Sequence, residues 1–156
     1  MGVSLTYITT EPVTAPVRKA IEADAKRLNK QRPWWCENFI FFKHREQPKH
    51  LAGDTKLFIV GMGDDLDEED SDGGEAAFED DQFMGFHDAR FILLTLAEWS
   101  RVHGVFWVVE MAGTEVARVA GGRIEPPGLF QADATPEQLR ADDERARAII
   151  AKHPQR

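Results

Sequence analysis

The sequence predicts an α+β domain in which helices cover one antiparallel sheet. The first indication is the stretch Phe86 to Met111, where a broad apolar helical stripe is followed at once by a β-branched and aromatic run. The second is a set of short apolar runs of strand length lying between helix-start signals at Thr14 and Thr135. A length of 156 residues fits one domain, residues 1–156, with a single buried core.

The N-terminal part predicts a strand and then a helix. Val3 to Thr9 is rich in β-forming residues and alternates in part, which is typical of a strand. Thr14 can cap a helix that tolerates Pro16 in its first turn, and Gln31-Arg32-Pro33 ends it. The predicted buried stripe of this helix consists of Val17, Ile21, Ala25 and Leu28.

Two further strands and an acidic loop are predicted next. Phe39 to Phe42 and Leu57 to Met62 are apolar enough to be the second and third strands. His44 to Thr55 is then a long hairpin connection, punctuated by proline and glycine. Gly63 to Gln82 follows as a mobile acidic loop, because blocks of like charge usually remain solvated.

The central helix and the strand after it organise the rest of the chain. We expect the helix to be largely buried from Phe86 onward and to end at Gly104, which can adopt the left-handed conformation. Val105 to Val109 is the fourth strand, and Ala112-Gly113 turns the chain into a fifth strand at Glu115 to Val119, paired with the fourth.

A last helix begins with the clearest signal in the chain. Thr135 can accept a hydrogen bond from the Gln138 N–H while the Gln138 side chain reaches back. Its buried stripe is predicted to be Leu139, Ala146, Ile149 and Ile150. The complete order, β-α-β-β-α-β followed by β-α, resembles the ferredoxin-like fold with one added strand and one added C-terminal helix. That architecture hosts many functions and does not choose among them.

The net charge of −8 is local in origin. Eleven of the 27 acidic residues lie between Asp64 and Asp81, and no lysine or arginine occurs from Leu57 to Ala89. Residues 17–56, in contrast, carry ten basic and five acidic side chains. The basic half could therefore face the chain's own acidic loop, or the loop could meet an outside partner.

The acidic loop resembles an EF-hand calcium loop over twelve residues. Glu68, Asp70, Asp72 and Glu79 fall close to the ligand positions of that pattern, with Gly73 at the turn. The first ligand is Glu where Asp is expected, and the preceding segment reads as a strand, so an EF-hand proper is not predicted. A looser Ca²⁺ or Mg²⁺ site at Glu68, Asp70, Asp72 and Glu79 is the alternative to a simply solvated loop.

Other candidate residues favour structural roles. Trp34-Trp35 could be a stacking platform for single strands, but large aromatics leading into a buried strand are more often core residues. The acidic field also repels phosphate, so nucleic acid is not an expected partner. Cys36, His44 and His50 match no common zinc spacing, and Cys36 is expected to be buried.

The pair His87-Asp88 is expected at the start of the central helix. There Asp88 would complement the positive helix end, while His87 would cap the helix or face solvent.

Two functions of different classes are consistent with the sequence. It contains no nucleophile elbow, no phosphate-binding glycine loop and no H-E-x-x-H motif, so we assign no catalytic residue and no cofactor. The first hypothesis is a cytoplasmic, non-enzymatic interaction or regulatory module whose acidic loop engages a basic protein partner. The second is a Ca²⁺- or Mg²⁺-binding domain with hydrolytic activity, in which His87 joins the acidic ligands. No bilayer-spanning stretch is evident, and the sequence leaves the oligomeric state open.

Overall fold

The computed structural model describes residues 3–57 and 74–153, and its strands and helices alternate along the chain. The elements are β1 (Val3–Thr9), α1 (Ala15–Gln31), β2 (Ile40–Phe42), β3 (Ala52–Leu57), α2 (Gly74–His103), β4 (Trp107–Met111), β5 (Thr114–Ala120), β6 (Arg123–Glu125) and α3 (Pro136–Lys152). The α+β class is confirmed, with an antiparallel sheet and three helices in this part of the chain.

Both threonine caps lie where the sequence predicts them. The Thr14 hydroxyl accepts a hydrogen bond from the Val17 N–H at 3.4 Å, and α1 begins at the next residue. The Thr135 hydroxyl accepts one from the Gln138 N–H at 3.2 Å and starts α3 in the same way. Each cap satisfies a backbone donor that the helix itself leaves unpaired.

In the described part of the chain, the sheet has six antiparallel strands in the order β2-β3-β1-β4-β5-β6. β1 is a central strand, and its Leu5 lies between Thr55 of β3 and Met111 of β4. The predicted pairing of the fourth and fifth strands is confirmed, since Trp107 faces Val119 across β4 and β5. Among these described strands, β2 and β6 form the two edges.

The core lies on one face of this sheet. Leu5 and Tyr7 of β1 are completely buried, as are Trp107 and Val109 of β4. They share one core cluster with buried residues of all three helices, among them Ile21, Leu93, Leu96 and Ile149. Helix packing therefore accounts for the buried alternate positions of the central strands.

The central helix is longer than predicted. α2 begins at Gly74, twelve residues before Phe86, so the predicted loop is wrong for residues 74–82. The other part of that loop, residues 63–73, lies outside the described residues. Acidic residues are favoured near the positive N-terminal end of a helix, so an acidic stretch in the sequence is compatible with a helix start. The predicted end of the helix at Gly104 is confirmed by its φ of +69°.

The third strand lies earlier in the chain than predicted. β3 covers Ala52–Leu57, so the expected hairpin connection ends at Leu51, and residues 58–62 of the predicted strand lie outside the described part. Gly53 looks like a loop residue in the sequence, yet a Cβ there would lie only 2.5 Å from the Tyr7 ring. Glycine is required at this position because the Tyr7 ring packs directly against the backbone of the strand.

Candidate functional site

A buried carboxylate connects α2 to the segment that follows α1. Asp88 is completely buried in the interior of α2. Its Oδ1 accepts a hydrogen bond from Nη2 of Arg32 at 2.9 Å. Its Oδ2 accepts the backbone N–H groups of Trp35 at 3.0 Å and Cys36 at 2.7 Å. A single side chain thus holds the turn between α1 and β2 against the central helix, which offsets the cost of burying its charge.

The guanidinium of Arg32 is enclosed by aromatic rings. Its Cζ lies 4.1 Å from the centroid of Phe91 and 5.1 Å from that of Trp34. Such contacts favour a partly desolvated cation. Trp34 also packs edge-on against Phe39 and Phe91, and Trp35 is 6% exposed. Trp35 is therefore a core residue, as predicted, and Trp34 is partly buried against the core.

His87 lies between a cation and a carboxylate. Its Nδ1 is 2.9 Å from Nη2 of Arg32, and its Nε2 is 2.9 Å from Oδ1 of Asp143. Arginine can only donate, so Nδ1 accepts and the proton resides on Nε2. Burial lowers the pKa of His87 below its ordinary value, while the hydrogen bond with Asp143 acts in the opposite direction. The neutral imidazole is therefore the resident form at neutral pH.

This geometry corrects the predicted roles of His87 and Asp88. Neither residue caps the helix, because α2 begins at Gly74 and both lie several turns inside it. His87 does not face solvent either, since only 8% of it is exposed. Both ring nitrogens are occupied, so His87 is not available as a metal ligand in this arrangement.

A second buried ion pair fixes the last helix. Nη1 of Arg90 lies 2.8 Å from Oδ2 of Asp142, with side chains 6% and 12% exposed. The Gln138 side chain donates to the other carboxylate oxygen at 3.1 Å. The Arg90–Asp142 pair thus joins α2 to α3, and removal of either partner would leave a buried charge unpaired.

The described end of the acidic stretch is attached to the core. Oδ1 of Asp81 accepts a hydrogen bond from Nε1 of Trp35 at 3.1 Å. Oδ2 of Asp80 lies 3.9 Å from Nε2 of His153, whose ring packs edge-on against Trp35. Glu79, one residue earlier, is exposed. The chain therefore enters the buried part of α2 from a fixed position.

Most of the predicted metal site lies outside the described residues. Glu68, Asp70 and Asp72 lie outside the described residues, and Glu79 lies exposed on α2. Within residues 3–57 and 74–153, no group of three or more histidine, cysteine or acidic side chains could hold a metal ion.

Cys36 and the two histidines after it have separate surroundings. Cys36 is 8% exposed, which confirms its predicted burial. His50 donates from Nδ1 to the Thr9 carbonyl at 2.7 Å, whereas Nδ1 of His44 accepts the backbone N–H of Gln47 at 3.1 Å. Each of these two histidines therefore orders the local backbone.

Sequence reasoning missed the polar network of Arg32, His87, Asp88, Arg90, Asp142 and Asp143. One signal was available, because Asp88 and Arg90 interrupt the apolar stripe of the central helix on either side of Ala89. Charged residues in a buried stripe need partners, although their identity depends on the tertiary fold. Chemically, the network connects helices through matched charges and places no nucleophile beside His87 in any contact described above.

Comparison with known proteins gives no relative: no family model, no curated protein and no solved structure matches the chain. In the described part of the chain, none of the helices combines the length and the apolar character needed to cross a bilayer. The function is therefore argued from the geometry of this chain.

Proposed function

We propose that this protein is a non-enzymatic interaction module whose acidic segment, residues 64–81, engages a basic protein partner. The observation that carries the proposal is the pairing of three of the four arginines in the basic N-terminal half. Arg18 lies 3.7 Å from Glu22, and Arg27 pairs with Asp24 within the same helix. Arg32 pairs with Asp88. These three arginines thus neutralise carboxylates outside the acidic segment.

The charge of the acidic segment supports electrostatic recognition. Eleven carboxylates within residues 64–81 have no lysine or arginine near them in sequence. A concentrated field of one sign accelerates encounter with an oppositely charged surface and disfavours partners of the same sign. Such binding weakens as salt rises, because exposed charges are screened over roughly 8 Å at physiological ionic strength.

The described end of the segment supports a partly preformed surface. Asp81 is held by Trp35, and Glu79 projects from α2 one turn away from residues packed in the core. A partner that contacts Glu79 meets a helix that is already folded. Binding to a preformed helix avoids the entropy cost of ordering those residues at the moment of association.

We further infer a ferredoxin-like arrangement for the first six elements. Their order, β-α-β-β-α-β, and the position of β1 between β3 and β4 support it, with β5, β6 and α3 as additions. This inference concerns architecture alone, because the fold does not select a function.

Two charge-neutralising variants test the proposed function. The first carries Glu68→Gln, Glu69→Gln, Asp70→Asn and Asp72→Asn. The matched control removes four exposed glutamates elsewhere, with glutamine at Glu46, Glu125, Glu137 and Glu144. The probe is a fluorescent peptide of about eight lysines, whose binding is measured by anisotropy at low and physiological salt.

Both variants lose the same charge, so they separate local recognition from general attraction. We expect the Kd for the lysine peptide to rise about tenfold in the segment variant and less than about twofold in the control. An equal rise in both variants would mean that only net charge attracts the probe. That result would reject the acidic segment as a recognition element.

A further inference from the structure

A groove with a positively charged rim lies where α1 meets the edge of the sheet. It consists of two adjoining clefts of about 300 Å³ and 380 Å³. Both clefts are lined by Arg18 and Glu22 of α1 and by Pro48 of the β2–β3 connection. These shared residues make the clefts one continuous groove, which we call the β2 groove.

The wall of the β2 groove is held in place by hydrogen bonds. Nη2 of Arg18 donates to the carbonyl of His50 at 3.0 Å and to that of Pro48 at 3.4 Å. The Val13 N–H donates to the carbonyl of Lys49 at 3.0 Å. The connection after β2 is therefore fixed to α1 and to the segment before it. A ligand would meet a groove that needs little ordering on binding.

The rim of the β2 groove is positively charged. Arg18, Lys19, Lys43 and Lys49 line it, and among the described lining residues Glu22 is the one acid. Glu22 lies 3.7 Å from Arg18 and offsets its charge. The exposed side chains of the three lysines therefore leave the rim with a net positive charge. The whole chain carries a formal charge of −8, so this groove departs from the average sign of the protein. Carboxylates complement such a rim.

The floor of the β2 groove is a sheet edge with an apolar border. β2 pairs with β3 on one side, and among the described strands it is the last of the sheet on the other. An edge strand presents backbone N–H and C=O groups that can pair with another chain. Phe42 lines the groove and is 40% exposed, and Ile40 beside it is 44% exposed. Backbone donors, apolar surface and positive charge thus occur together.

We propose that the β2 groove binds an extended acidic segment of a partner protein, which adds to β2 as a further strand. Backbone pairing with β2 sets the register of the segment. Because strand side chains alternate, carboxylates on one side of the segment reach Lys43 and Lys49, while apolar side chains on the other contact Phe42. This site lies on different elements from the acidic segment and attracts a ligand of opposite sign. It stands independently of the proposed function.

A single-stranded nucleic acid would also meet cations and aromatic rings in this groove. One observation favours the peptide: the edge strand supplies backbone hydrogen-bonding groups that match another strand, which a nucleic acid does not offer.

The test uses a fluorescent peptide of about ten residues that alternates valine and glutamate. The charge-reversal variant is Lys43→Glu with Lys49→Glu. Its matched control is Lys26→Glu with Lys30→Glu, which changes two exposed lysines on α1 away from the groove. A second peptide carries proline at alternate positions, so that it keeps the charge but cannot pair as a strand.

We expect the groove variant to raise the Kd for the valine–glutamate peptide about tenfold and the control to change it less than about twofold. The proline peptide should bind at least about tenfold more weakly. Amide exchange should slow at Ile40–Phe42 when the peptide is bound. Equal losses in both lysine variants would overturn the proposal, as would undiminished binding of the proline peptide. Tighter binding of an oligothymidylate than of the peptide would assign the groove to nucleic acid instead.

Discussion

Arg32 and Asp88, which lie 56 residues apart in the sequence, form a 2.9 Å ion pair that joins the end of α1 to the middle of α2. The carboxylate is fully buried, and the arginine side chain is 14% exposed. Because the same carboxylate accepts two backbone N–H groups, the pair positions a whole turn of the chain.

Asp88→Asn should strongly destabilise the protein. The substitution removes the charge that compensates Arg32 and leaves a buried guanidinium beside a neutral amide, at a cost of about 3–5 kcal/mol. Urea unfolding measures the change in the free energy of unfolding. Glu98→Gln on the same helix is the control, because its partner Arg101 is exposed and the pair is screened by water. Similar losses in the two variants would contradict the structural role of Asp88.

His87 should make stability depend on pH in a defined direction. Burial lowers the pKa of His87 in the folded protein, so the unfolded chain takes up the proton first as the pH falls. The contribution of the neutral ring is complete above the ordinary histidine pKa of about 6.5 and is lost as the pH falls through the folded pKa. Protonation would also place a cation beside Arg32, with Asp88 and Asp143 as the nearby acids.

The measurement compares the free energy of unfolding of the parent protein and His87→Gln from about pH 7.5 to pH 5. All other histidines are common to both proteins, so the difference in slope reports His87. We expect the parent protein to lose more stability on acidification. A steeper acid loss in His87→Gln would show that the folded pKa is raised instead.

The adjacent residues Asp142 and Asp143 should differ in importance. Asp142→Asn breaks the buried pair with Arg90 and should cost about 3 kcal/mol. Asp143→Asn should cost about 1 kcal/mol or less, since that side chain is 53% exposed and its partner is a neutral histidine. Thermal unfolding ranks the two, and amide exchange should show faster opening of α3 in the Asp142 variant. The reverse ranking would mean that Arg90 does not hold α3.

Gly53→Ala should destabilise the sheet through crowding. The new Cβ would lie 2.5 Å from Cε2 of Tyr7 and 2.9 Å from both the Ile40 carbonyl oxygen and the Phe41 ring. We expect a loss of about 1–3 kcal/mol in the free energy of unfolding. Gly128→Ala is the matched control. A Cβ added there would lie 3.8 Å from Oδ2 of Asp133, which is ordinary contact, and the Gly128 φ of −87° suits alanine. An unchanged midpoint for Gly53→Ala would show that β2 and Tyr7 can move apart.

The ends of helices and the position of the first strand are predicted well from the sequence. Thr14 and Thr135 fix two helix starts because capping acts over three residues, and Gly104 ends α2 for an equally local reason. Val3–Thr9 is a strand with the predicted bounds. In each case the contacts that determine the structure lie within one turn or one strand. The residues adjacent in the sequence are therefore sufficient to predict it.

The predictions from sequence fail where contacts between residues far apart in the chain determine the structure. Gly53 lies in β3 opposite Tyr7 of β1, and a side chain there would clash with the Tyr7 ring. The residues next to Gly53 in the sequence do not reveal this contact. The partners of Asp88 come from a turn more than 50 residues earlier in the chain. β6, which pairs with β5 after Gly121-Gly122, has only three residues and too short an apolar pattern to recognise. The acidic residues 74–82 predict a solvated loop by their charge alone, whereas the structure has them in the first turns of α2.

The position of β1 has a consequence for how the protein is made. β1 is synthesised before both of its neighbours in the sheet, and one of them is β4, which ends at Met111. About a hundred residues separate β1 from β4 and must be synthesised before β1 is paired on both sides, and the closure of such distant contacts slows folding. During that interval the nascent sheet has an open central edge, so chaperone demand during translation should be set by the time needed to reach Met111.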